Sequence, residues 1–250
     1  MSLSRRLLFA SAFWEVARPR TALTAGHLLI RLTNPAIAFD FHSAADWLTC
    51  HHAARQALAE VLGAGHCSVV FAHQWHPIGA AIGEPEVESS TPTFHLFGRW
   101  DGEPVTPGEQ LRLPAQRRMP APAEDLITFD AGLRTALRRS ALSLSGLDSA
   151  PDSSSLPEID SWSPKAVAGP HHTVLAPASG GSDLSPGHLL ALAAALQGLT
   201  ARRGVSGLSC VVPDPAGGRL EVHALGRAVG EPVNPMERLL DLPEVSPALL

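Results

Sequence analysis

Lysine is almost missing from this chain: among 19 basic residues Lys165 is the only one, and acidic residues outnumber basic ones to leave a net charge of -5. With a pI near 6.2, the protein as a whole has no attraction for nucleic acid or anionic lipid, so any phosphate recognition must be local. Cysteine is scarce too. Cys50, Cys67 and Cys210 lie far apart and in no C-x-x-C arrangement, which excludes a disulfide framework and a thiolate zinc site and implies a reducing, cytoplasmic setting. No apolar run reaches membrane-spanning length. Leu7–Trp14 behind Arg5-Arg6 imitates a signal peptide, but Glu15 and Arg18 interrupt its continuation, and it reads as a first strand. What remains is a 250-residue chain, 45% hydrophobic and 17% charged, able to bury the core of one large domain or two half-sized ones. Its wealth of Ala, Leu, Gly, Pro and Arg is a bias associated with high-GC bacterial genomes.

The chain repeats itself. Phe94–Pro107 and Val222–Pro235 agree at 8 of 14 positions with a constant offset of 128, including His95/His223, Gly98/Gly226, Arg99/Arg227 and Glu103/Glu231. Each copy reads as an alternating strand running into a Gly-containing turn. Matching Val70 with Val212 gives an offset of 142, so the second unit is expected to lack fourteen residues of the loop that holds His73 and His76.

Periodicity supplies the surrounding elements. Leu7–Val16 and Gly26–Leu32 are expected as an opening hairpin. Ser43–Asp46 has the form of a capping box, and Leu48, His51, Arg55, Leu58 and Leu62 recur at helical spacing until Gly63. His66–Ala72 reads as a buried strand and His73–Ser90 as a loop. Thr106–Pro122 has no convincing period, and Asp130–Arg139 is expected as a helix. Ser145–Pro170, rich in Ser, Pro and Asp, reads as a linker or surface loop. His172–Leu175 is a strand candidate, and Ser185-Pro186 opens a helix with Leu189, Leu192, Ala193, Leu196 and Leu199 on one face. Leu208–Val212 and Arg219–Leu225 close the second unit around Asp214–Gly218. The fold class expected is α+β, with residues 1–143 as a first unit, 144–170 as a linker and 171–250 as a shortened second unit.

The succession Gly26-His27-Leu28-Leu29-Ile30, a capped helix, the strand Cys67–Phe71 and then His95-Leu96-Phe97-Gly98-Arg99-Trp100-Asp101-Gly102-Glu103 resembles the histidine-triad superfamily over about Leu7–Glu103, with a fainter second copy from His172 to Pro235. Two units in one chain are similar to the galactose-1-phosphate uridylyltransferase branch. The resemblance implies two tandem units, each an antiparallel sheet with helices, forming an intramolecular pseudo-dimer. It implies phosphoester chemistry on a nucleotide-like ligand. His95 falls on the last histidine of the triad, with Thr93 and Thr91 where the nucleophilic and first histidines stand in the family. Sliding the register by two makes His95 the nucleophile but loses the Arg-Trp match. Glu221 and Arg219 occupy the matching places beside His223. The position that contacts the nucleotide ribose falls near Pro19, and the branch's Cys and His zinc ligands have no spacing match.

Chemically, attack on a phosphate needs an imidazole with a free nitrogen lone pair, and Thr93 has none without an adjacent base. The candidate site that the resemblance implies is nonetheless His95 and Thr93 as catalytic residues, with Arg99, His27, Thr91 and His223 as substrate contacts. The alternatives are a non-catalytic descendant that binds a ligand or a partner in the groove between its units, and a protein holding metal or haem through His73, His76 and His95. Loop histidines, strand histidines held by packing and Arg–Glu pairs across the turns are the plainer readings of the same residues. Arg112, Arg117 and Arg118 read as phosphate contacts or a solvated loop. No cofactor is identified by the sequence. The partner expected is a nucleotide-like small molecule, with neither nucleic acid nor membrane, on a monomer or homodimer.

Overall fold

The computed structural model describes residues 6–76, 83–144, 156–180, 184–214 and 219–250. Leu7–Val16, expected as one strand, turns back on itself. The Ser11 N–H donates to the Trp14 carbonyl at 2.8 Å, and the Asp46 carboxylate accepts from the Ser11 hydroxyl and the Phe13 N–H, each at 2.7 Å. Two short strands result, β1 (Leu7–Ala10) and β2 (Trp14–Ala17), and they form a meander with β3 (His27–Leu32) in place of the expected hairpin. Because Asp46 is engaged at that turn, it does not cap the following helix. The capping box of α1 (Phe41–Leu62) is made by Asp40 and Ser43, whose side chains bond each other's backbone N–H at 3.0 and 2.9 Å, and Gly63 ends the helix in the left-handed conformation.

β4 (His66–His73) and β5 (Thr93–Arg99) follow, and then a short helix in the stretch without a period, α2 (Pro107–Arg112), which Thr106 and Glu109 cap reciprocally. The expected helix over Asp130–Arg139 lies inside a longer one, α3 (Ala123–Leu144). Within the stretch read as linker, Ile159–Trp162 forms a strand, β6, paired with β7 (His172–Pro177); residues 145–155 of that stretch lie outside the described residues. The remainder is α4 (Pro186–Thr200, capped by Ser185), β8 (Gly207–Val212), β9 (Val222–Arg227), α5 (Met236–Leu240) and α6 (Ser246–Leu249). β9 starts at Val222, three residues later than read, and only Asp214 of the expected Asp214–Gly218 turn is described.

The nine strands among the described residues join one antiparallel sheet in the order β1-β2-β3-β5-β4-β8-β9-β7-β6. The fold is therefore mixed, a large antiparallel sheet with helices. Pairing also corrects the repeat register. Val70 lies opposite His95, and it is Val211, not Val212, that lies opposite His223. The strand offset is thus 141, one less than the sequence match, and the loop difference is thirteen residues. Both strands carry a Val-Val pair, so sequence allowed either match and only the ladder chooses.

The sheet is buried on both faces, which is why its strands read as near-continuous apolar runs. On one face Leu28, Ile30, Val69 and Leu96 pack against Leu58 of α1 and Leu133 and Leu137 of α3. On the same face Leu208, Cys210 and Ala224 pack against Leu192, Leu196 and Leu199 of α4. Across the opposite face Val70, Phe97, Val211 and Leu225 meet Leu111 of α2 and Met236, Leu239, Leu240 and Leu249 of the last two helices. Arg18, buried on the β2–β3 connection, holds α3 to the sheet: its guanidinium donates to Asp130 at 2.7 and 3.0 Å and to the carbonyls of Ala25 and His27 at 2.7 and 2.8 Å. Among the described residues no helix is long and apolar enough to cross a membrane.

Candidate functional site

Side chains alternate along a strand, so Thr93, His95, Phe97 and Arg99 of β5 share one face, the one opposite α1. His27 stands on neighbouring β3, opposite Phe97 and stacked on its ring at 4.2 Å. This diagonal placement brings His27 Nε2 to 3.0 Å from His95 Nδ1. His27 Nδ1 is already an acceptor, for the Leu23 N–H at 3.1 Å. Burial, and then the neighbouring His95, hold His27 well below the usual imidazole range, so the ring is neutral. A neutral ring that accepts at Nδ1 carries its proton on Nε2, and His27 therefore donates to His95 Nδ1. His95, pushed down to about 3 by burial and by Arg118, is neutral too, and its single proton is left on Nε2.

The same relay recurs between β7 and β9. The Ala168 N–H bonds His172 Nδ1 at 3.2 Å, and His172 Nε2 lies 3.2 Å from His223 Nδ1. Burial and His223 push His172 down to about 4, and burial lowers His223. His223 Nε2 finds no partner within hydrogen-bond distance, the Glu221 carboxylate being 3.9 Å away. Both outer histidines thus present an N–H where a nucleophile needs a lone pair.

The other expected contacts are engaged elsewhere. Thr93 donates to the Thr91 carbonyl at 3.0 Å, and the Thr91 hydroxyl lies 2.8 Å from that of Ser89. Arg99 and Arg227 pair with Glu103 and Glu231, as expected from the turn sequence, but as largely buried pairs and not surface ones. Each also clasps a covering segment with a serine at the equivalent place on the neighbouring strand. Arg99 donates to the Leu250 carbonyl at 2.9 Å and Ser68 to the Ala248 carbonyl at 3.0 Å. Likewise Arg227 pairs with Glu84, and Ser209 donates to the same carboxylate at 2.9 Å. Arg118, read as a phosphate contact or a solvated side chain, is buried and donates to the carbonyls of Gln110, Leu113 and Glu84 at 3.0, 2.9 and 2.7 Å. Arg112 pairs with Asp241, and Arg117 is exposed. Beside His27, His95 and Arg118 a void of about 10 Å³ is left, enough for one water.

A much larger cavity, about 750 Å³, is lined from the first half of the chain by Trp14, Trp47, His51, Phe71 and Phe94 and from α4 by Leu189, Leu192, Ala193 and Leu196. Its size is that of a small-molecule site. Trp47 and His51, one helical turn apart on α1, stack with ring centroids 4.9 Å apart. Burial pushes His51 down to about 3, with help from Arg55 and His52, so it is neutral. His73, His76 and Trp75 also line the cavity, and burial lowers His73 against the opposing effect of Gln197. The set His73, His76 and His95 does not converge: among the described residues no three His, Cys, Asp or Glu side chains are grouped as metal ligands. Trp47, Trp75, Glu84, Ser68 and Ser209 escaped the sequence reading. The two serines become visible once the strands are matched at the offset of 141, whereas nothing local marks Glu84.

No protein-family model matches the chain, and no curated protein matches it. Among solved structures it is similar to a Hit-like protein involved in cell-cycle regulation from Bartonella henselae, crystallised with an unknown ligand. The two are 15% identical over 52% of this chain and 85% of that one, with a TM-score of 0.33, a likeness that assigns neither fold nor activity.

Proposed function

We propose that this chain is a tandem, histidine-triad-like scaffold that binds a small molecule in the cavity between its two halves and does not turn over a phosphoester. The tandem reading is supported by the strand order, which runs β2-β3-β5-β4 and then β8-β9-β7-β6, the same succession reversed about the β4–β8 pair. It is supported also by the repeated relay, His27–His95 and His172–His223. The observation that carries the binding reading is the 750 Å³ cavity lined by α1 of one half and α4 of the other. Against phosphoester turnover stand the buried histidines with their protons on Nε2 and the absence of Arg or Lys among the described residues lining the cavity.

A thermal-shift titration against nucleotides, sugar nucleotides and a panel of neutral apolar compounds tests this, because a ligand that binds only the folded state raises its stability with concentration. Apolar compounds raise the midpoint and nucleotides do not. Turnover of any nucleotide that disappears in His95→Ala, with the fold retained, would overturn the reading in favour of a catalytic site at His95, Thr93, Thr91 and Arg99.

A further inference from the structure

The cavity between α1 and α4 has two unlike walls. On the side of the first half Phe71 and Phe94 are half-buried and Phe39 is 41% exposed, so these rings keep accessible surface while the space is empty. Trp14 and Trp47, themselves almost fully buried, pack against Phe94 with ring centroids at 5.8 and 5.1 Å and planes inclined at 61° and 63°, and Phe71 lies 5.0 Å from it. Edge contacts of this kind fix the Phe94 ring before anything binds. On the side of α4 the half-buried lining residues are aliphatic: Leu189, Leu190 and Ala193, with Leu184 just ahead of the helix. Charge is matched within the wall. Glu84 pairs with Arg227 and Glu88 with Arg6, and both carboxylates are nearly sealed from solvent. Glu86 is exposed, its carboxylate 3.2 Å from the Thr21 hydroxyl. No lysine or arginine stands among the described lining residues. An anion would therefore lose its hydration to a wall without a counter-ion, and a cation would meet only Glu86, whose attraction water screens.

Resting on the binding reading above, we infer that the ligand of this cavity is an uncharged aromatic molecule, its rings against Phe71 and Phe94 and its other side against the aliphatic residues of α4. A saturated molecule of the same shape would bury as much apolar surface on both walls. It would gain nothing from ring–ring contact, which adds to the burial of area.

Three probes on one skeleton separate the possibilities: phenanthrene-9-methanol, its fully saturated analogue, and the anion phenanthrene-9-carboxylate. Equilibrium dialysis against the wild-type protein gives their affinities, and those of the two alcohols are each referred to the probe's own partition between water and hexadecane, which removes the difference in hydrophobicity. The aromatic alcohol is then expected to bind about fivefold more tightly than the saturated one, as ring–ring contact would give. The carboxylate is expected to bind at least about tenfold more weakly than the aromatic alcohol. Phe94→Leu keeps an apolar wall, removes the ring and brings the ratio of the two alcohols towards one. If the saturated alcohol matches the aromatic one, if the carboxylate binds as tightly, or if a folded Phe94→Leu keeps the ratio, the uncharged aromatic class falls while the cavity reading stands. If none of the three binds, the cavity reading falls and this inference with it. The comparison of probes on the wild-type protein decides the matter even if Phe94→Leu does not fold.

Discussion

Arg227 at the end of β9 and Glu84, on the segment ahead of β5, form an ion pair sealed from solvent, their side chains 2% and 5% exposed. The guanidinium also donates to Ser209 at 2.9 Å and lies 5.0 Å above the Trp75 ring, while the Glu84 carbonyl accepts from Arg118 at 2.7 Å. A side chain from the second half of the chain thus holds a segment of the first against the sheet. Arg227→Met would leave the Glu84 carboxylate buried without its counter-charge, and a loss of about 3–5 kcal/mol is expected. The double variant Glu84→Leu/Arg227→Met removes both charges of this pair, leaves only the more exposed Glu231 without its partner, and should recover part of that loss. Urea denaturation of the three proteins, with midpoints compared at constant slope, checks the order.

Acid should unfold this protein early. His27, His51, His95 and His172 are all held below the ordinary imidazole range by burial, the last three to about 3, 3 and 4. In the unfolded chain the same groups titrate near 6.5. Between about pH 6.5 and 4 the unfolded state therefore binds more protons than the folded one, and stability rises with pH through that window. Stability is full above about pH 6.5 and falls on acidification, by about 1.4 kcal/mol per pH unit for each histidine still neutral in the fold. Denaturant titrations at a series of pH values should give an uptake of about four protons on unfolding near pH 5, and His51→Leu should reduce it by about one. A flat profile between pH 7 and 5 would mean that these imidazoles are not held neutral.

How much of this was legible beforehand depended on distance along the chain. The repeated stretch from His95/His223 to Glu103/Glu231 was legible in the sequence, because a turn and its flanking pair are local. α4 was read from its cap at Ser185 and its leucines for the same reason. The strand β6 escaped because Ile-Asp-Ser-Trp is short, lies at the sheet edge and stands among Ser, Pro and Asp residues. His27, His95 and His223 were singled out individually, whereas their relay depends on the register of β3 against β5, and a slip of one residue would turn each side chain to the other face. A groove between the units was among the expectations, but its lining was invisible because Trp47 and Leu192 share it only once β4 and β8 have paired and set α1 beside α4.

Gly26 should tolerate no side chain. A Cβ there would sit 2.3 Å from the Gly98 carbonyl oxygen, and the Gly98 N–H donates to the Gly26 carbonyl at 3.0 Å, so the backbones meet where His27 enters the sheet. Gly26→Ala is expected to cost about 2–3 kcal/mol, in the range of overpacking a rigid site. Gly102 is the contrast. Its φ of +77° is strained for alanine but nothing lies within 4 Å, so Gly102→Ala should cost only about 1 kcal/mol. Equal losses by thermal denaturation would deny the close approach of the two strands.

Ala193 offers a way to fill the cavity without touching a polar group. It lies half-buried on α4 among the lining residues, next to Leu192 on the helix and apart from both relays. Ala193→Trp adds an indole to the space at a helix-propensity cost of about half a kcal/mol, offset by the apolar surface it buries. The variant is expected to keep a melting temperature within a few degrees of the parent or above it, and to bind the neutral apolar compounds that raise the parent's midpoint at least about tenfold more weakly, since ligand and new ring compete for one volume. Leu142→Trp, on the exposed side of α3 where the native leucine is 79% accessible, is the matched control and should change neither property. Undiminished binding of those compounds by Ala193→Trp would put the ligand elsewhere. A steep loss of stability would show the walls too rigid to admit a ring, and a cavity that admits no ring has no place for the small molecule proposed to bind there.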